Sequence, residues 1–199
     1  MLNDEFLWYI SVGEIMKKYK TIKILFIFLV ASSISNKYPL FGGLFGILLI
    51  YFLNFKDVNK KISVSRKNFK YFIYGLLVCL LFFIKYFIGN SEHDSFLISL
   101  INARAWYYFI YVVMLSPILE ELTFRYGFDT IKNEYLYLII SSLLFSVIRV
   151  NSLSEYLYFI IAFIFSLVLG YVYRKSDDLK LPISFHVLYN LLFYLMVVL

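Results

Sequence analysis

"SPILEELTFRYGF", residues 116–128, closes an apolar run and sets two adjacent glutamates into it. A carboxylate at the centre of a bilayer helix costs on the order of 2.5–3.5 kcal/mol. If this run crosses a membrane, Glu120 and Glu121 must therefore face protein or water rather than lipid.

The rest of the chain says that it does. Of 199 residues, 62% are hydrophobic, 22% aromatic and only 16% charged, the balance of a membrane protein. A net charge of +6 raises the question of nucleic acid, but the Lys and Arg residues sit in short runs between apolar segments. They read as loop anchors at a membrane face, and no nucleic-acid partner is expected. Cys79 stands alone in an apolar run, which excludes an intrachain disulfide and a cysteine-based zinc site. The N-terminal stretch has acids first and lysines last, with no small-residue cleavage site, so a removable signal peptide is not expected.

Polar punctuation divides the chain into apolar segments at roughly 21–36, 38–55, 70–89, 104–126, 134–150, 155–173 and 181–199. The expected fold is an all-α polytopic membrane helix bundle of about seven transmembrane helices. Residues 1–103 hold the N-terminal membrane helices and a basic loop; residues 104–199 hold the motifs described below. Phe6, Trp8, Tyr9 and Ile10, followed by Lys17, Lys18 and Lys20, suit a short helix at the membrane surface. Basic residues cluster at 17–23, 56–70, 132 and 174–180, whereas the alternate loops, "NSEHD" at 90–94 and "NSLSE" at 151–155, are poor in base. The positive-inside rule then sets the N-terminus in the cytoplasm, as in the plasma membrane of a prokaryote.

Within the segment, Glu121 and Arg125 are four residues apart on one helical face, a spacing suited to an ion pair. Glu120 has no opposite charge at i+3 or i+4. Pro117 cannot donate a helix hydrogen bond, so it frees a carbonyl inside the membrane that needs another partner. In the last segment, "LPISFHVLYNLLF", Pro182 suits the first helical turn, while His186 and Asn190 lie one turn apart and point the same way. Either they make an interhelical hydrogen bond, or they join the glutamates in a site with a carboxylate base and an imidazole and amide to bind a metal or an oxyanion.

Here the residues resemble the CAAX prenyl protease and bacteriocin-processing (Abi) family of intramembrane proteases, whose pattern is E-E-x-x-x-R, then F-x-x-x-H, then H-x-x-x-N or H-x-x-x-D. "EELTFR" supplies the first motif as Glu120, Glu121 and Arg125, and "HVLYN" supplies the third as His186 and Asn190. The resemblance covers roughly residues 104–195. It implies an endopeptidase that activates water with the first glutamate and the histidines, with Glu120, Glu121, His186 and Asn190 as the catalytic set. A divalent metal such as zinc, if one is bound, would take Glu120 and His186. Substrates or partners would be peptides or membrane proteins, met in contact with membrane lipid.

The second motif departs from the family. "SSLLFSVIRVNS" aligns, but Arg149 stands four residues after Phe145 where the pattern has His. A guanidinium accepts no proton and ligates no metal. At about 4 Å it attracts a carboxylate by roughly 4 kcal/mol at an effective dielectric of 20, making Glu120 a poorer base. Two readings follow. Arg149 serves as an electrostatic clamp in a protease that still works, or the protein is a pseudoprotease that binds a partner. His93, in a loop, is a poor substitute for the missing histidine. A small transporter is disfavoured because no internal repeat is visible. A straight helix from 134 to 150, about 25 Å long, would in addition hold Arg149 away from Glu120 and His186. The reading of Asp129 and Lys132 is as solvated loop charges.

Overall fold

The long apolar runs with charges confined to their ends dictate helices, since only a helix satisfies its own backbone in lipid. In the computed structural model, which describes residues 19–62, 71–88, 98–99, 106–150 and 155–198, every regular element is helical. The proposed surface helix near the N-terminus and the His93 loop lie outside the described residues.

The helices are α1 (Lys20–Ser35), α2 (Pro39–Leu53), α3 (Phe55–Lys61), α4 (Phe72–Ile88), α5 (Trp106–Tyr126), α6 (Glu134–Val147), α7 (Tyr156–Ser176) and α8 (Lys180–Val198). Apart from the short α3, they fall within a few residues of the seven apolar segments. By length and composition, α5 and α7 suffice to cross a membrane, and α2 with α3 makes a third if the 100° bend between them lies within one span. The apolar stretches of α4 and α6 are shorter. The count of seven crossings therefore stays an expectation.

The outward faces are apolar. Ile22, Phe26, Phe41 and Phe52 are each more than 60% exposed, whereas Glu121, Arg125 and His186 are at most 1% exposed. Ionisable residues inside and large apolar side chains outside is the arrangement a lipid solvent selects.

Small residues set how closely the first two helices approach. Ile24, Ile27, Phe28, Ala31 and Ser35 make one buried stripe on α1. Gly42 and Gly46 of α2 face it. A Cβ on Gly42 would stand 2.7 Å from the Ala31 carbonyl, and one on Gly46 2.7 Å from Ala31 Cβ and 2.8 Å from Leu119. This is the close crossing that a G-x-x-x-G spacing allows in membranes, and it carries α1 and α2 against the glutamate-bearing helix.

At one end of the bundle, polar groups tie loops to helix ends. Asp129 accepts from Lys61 at 3.2 Å and from Arg174 at 3.0 Å, and Lys61 also pairs with Asp177. Thr21 donates to the Gly127 carbonyl at 2.7 Å. Asn133 caps α6 by accepting from Leu136 N–H. Asp177, in the left-handed conformation at φ 54°, ends α7 and lets the chain turn into α8. Asp129 is thus not a solvated loop charge: with both cations already at the ends of packed helices, a carboxylate between them stays only 18% exposed.

A buried carboxylate, histidine and arginine cluster

Helix α5 carries the glutamates, and it is not uniformly wound. Tyr111–Leu115 and Leu122–Tyr126 are π-helical, flanking an α-helical Ser116–Glu121. Pro117 accounts for the first widening. Ser116 N–H donates to the Tyr111 carbonyl, an i→i+5 register; the next bond in that register would need an N–H from Pro117, which has none. The orphaned oxygen is that of Val112. Asn190 Nδ2 of α8 donates to it at 2.8 Å, so the carbonyl freed by the proline and the amide one turn beyond His186 satisfy each other. The amide of Asn190 is thereby committed to backbone support rather than pointed at Glu120.

Glu121 has a fully buried side chain held on both sides. Arg125 Nε donates to Oε2 at 2.7 Å and His186 Nδ1 lies 2.8 Å from Oε1. Arg125 Nη1 goes on to Ser166 Oγ at 3.0 Å, joining α5 to α7. The expected Glu121–Arg125 pair is present. Glu120 takes a hydrogen bond from Ser116 Oγ at 2.6 Å, a partner one turn back, where the sequence reading looked only forward. Its Oε2 is bonded by Arg149 Nη2 and stands 3.8 Å from His186 Nε2.

The histidine tautomer follows from its neighbours. A proton on Nδ1 satisfies the Glu121 carboxylate and leaves the Nε2 lone pair facing Arg149 Nη2 at 3.3 Å. Phe145 lies under the cluster, its ring centroid 5.1 Å from the Arg149 guanidinium and 5.6 Å from that of Arg125. The His186 ring meets it edge-on at 5.8 Å and Phe165 at 5.0 Å. Two cations on one ring and a T-shaped histidine make Phe145 the packing centre of the site.

The straight-helix expectation held Arg149 apart from the glutamates. Instead α6 is 14 residues long, about 21 Å. It starts after a turn whose Phe128 is buried and stops at Val147. Beyond it Arg149 N–H bonds to the Ser146 carbonyl, and the long side chain reaches back to Glu120.

A metal between Glu120 and His186 does not fit these residues. Both atoms that would ligate it, Glu120 Oε2 and His186 Nε2, face the permanent cation of Arg149. Among the described residues, no three His, Cys, Asp or Glu side chains converge to hold an ion.

A carboxylate pair and a histidine brought together inside lipid-facing helices, with an arginine bound to the first carboxylate, define a polytopic membrane protein with a polar intramembrane site. The particular resemblance comes from a match: residues 102–192 are similar to the family model described as Type II CAAX prenyl endopeptidase Rce1-like, the same family that the motifs resemble. No curated protein and no solved structure gives a significant match.

Proposed function

We propose that this CAAX-protease-like membrane protein is a pseudoprotease: it holds a peptide or membrane-protein partner in the bundle and does not hydrolyse it. One observation carries the reading, the guanidinium of Arg149 bonded to Glu120 and 3.3 Å from His186 Nε2. Water activation needs a carboxylate free to take a proton and an imidazole free to share the work. Arg149 engages both and can do neither itself. Losing one member of a cooperating catalytic set costs several orders of magnitude in rate. In this reading helices α1–α4 brace the motif-bearing half, and Glu121, Arg125 and Asn190 persist for the packing they provide. The N-terminus is cytoplasmic, in the plasma membrane of a prokaryote.

The test is peptide hydrolysis in lipid nanodiscs against a library that includes prenylated peptides, with wild type, Arg149→His, and Arg149→His combined with Glu120→Ala. The expected result is a silent wild type and cleavage by Arg149→His that disappears with Glu120. Cleavage by wild type that Glu120→Ala abolishes would instead establish a working protease with Arg149 as a clamp on the oxyanion.

A further inference from the structure

From the motif residue Arg125 toward the ion-paired end of the bundle runs a second polar column, whose other members belong to none of the motifs. Arg125 Nη2, the hydroxyls of Tyr137 and Tyr173, and Arg174 Nε are buried and have no hydrogen-bond partner. They are neighbours. The Arg174 guanidinium lies 4.0 Å over the Tyr137 ring, and the Tyr137 and Tyr173 rings are 6.4 Å apart. Arg125 Nη1 and Tyr137 Cε1 both lie within 4 Å of where a Cβ on Gly170 would stand. Arg125, Tyr137 and Tyr173 have no exposed surface.

A buried donor left unmade costs about 1–3 kcal/mol, and buried polar groups are almost always satisfied. Four of them on neighbouring side chains call for a ligand that both donates and accepts. An anion is disfavoured because each guanidinium already has its carboxylate, Arg125 with Glu121 and Arg174 with Asp129. A neutral ligand with two donors and two acceptors meets the need, and buried water typically makes about three such bonds. We propose that a file of bound water occupies the seam beside Gly170, from Arg125 at the glutamate cluster to Arg174 and Asp129 at the opposite end. It hydrates the guanidinium that holds Glu121 and links the cluster to the face bearing Lys61 and Asp177. This holds whether or not the protein hydrolyses peptides.

Synchrotron hydroxyl-radical footprinting of the wild-type protein in nanodiscs reads this directly, because buried rings are oxidised quickly only where water lies beside them. Rates are normalised to the unfolded protein. Tyr137 and Tyr173 should be labelled at least about 10-fold faster than Phe124 and Phe145, which are equally buried. Equal rates for all four would overturn the proposal. In Gly170→Ala, whose methyl would sit 3.1 Å from Leu138, 3.6 Å from Arg125 Nη1 and 3.7 Å from Tyr137, labelling of Tyr137 should fall at least three-fold while that of Phe145 holds. No change in a folded Gly170→Ala protein would place the water elsewhere and sink the idea. Labelling of Tyr137 that falls as chloride or nitrate is raised would identify an anion as the occupant, also against the proposal.

Discussion

Asn190 Nδ2 donates at 2.8 Å to the Val112 carbonyl, the oxygen left without a backbone donor by Pro117 five residues on. The two polar oddities of α5 and α8 are thus halves of one interaction, and it can be taken apart. Asn190→Ala should destabilise the protein by about 1–2 kcal/mol. In a Pro117→Ala background, where residue 117 regains its N–H, the same substitution should cost clearly less. Unfolding midpoints of the four proteins in detergent would measure the coupling; equal costs in both backgrounds would disprove it.

Arg149 and Glu120 form a mostly buried pair, their side chains 21% and 8% exposed. Removing one partner strands the other. Arg149→Leu should lose about 2–4 kcal/mol of stability, and adding Glu120→Gln should recover most of it, because the stranded charge is then gone. Additive losses in this double-mutant cycle would mean that the two side chains do not interact.

The α1–α2 crossing predicts an order among glycines. A Cβ on Gly42 meets backbone, the Ser35 nitrogen at 2.5 Å and the Ala31 carbonyl at 2.7 Å, whereas one on Gly43 meets side chains at 3.0–3.3 Å. Backbone cannot move aside as a side chain can. Gly42→Ala should cost about 1–3 kcal/mol by overpacking and Gly43→Ala clearly less, as judged by thermal unfolding; the reverse order would contradict the crossing.

Asp129 and Asp177 make a second contrast. Asp129 is 18% exposed and binds two cations, while Asp177 is 67% exposed and pairs with Lys61. Asp129→Asn should lower stability by about 1–2 kcal/mol, and Asp177→Asn by no more than about 1 kcal/mol, with the smaller effect screened by salt. Melting curves at low and high ionic strength would separate the two.

The sequence by itself determined the helical class, the position of the apolar segments and the pairing of Glu121 with Arg125, because hydrophobic run length and a four-residue spacing are properties of the chain written on one helix. It also showed that Pro117 would free a carbonyl. It did not show which group would answer. That Asn190 takes the Val112 oxygen depends on a π register in α5 and on where α8 docks, and neither is a local property. Ser116 as a partner of Glu120 lay within reach at i−4, and the G-x-x-x-G of Gly42 and Gly46 was a readable signal for the first crossing. The approach of Arg149 to Glu120 was not readable. It depends on where α6 stops and on the turn before it, and a straight-helix estimate carried it the wrong way. Asp129 became a structural anion only because Lys61 and Arg174, 68 residues before it and 45 after it, are brought to either side. Lipid fixes the secondary structure from within each segment, since every helix must satisfy its own backbone. Partners more than a turn away, Arg149 for Glu120 and His186 for Glu121, are fixed between segments, by packing that only the folded bundle contains.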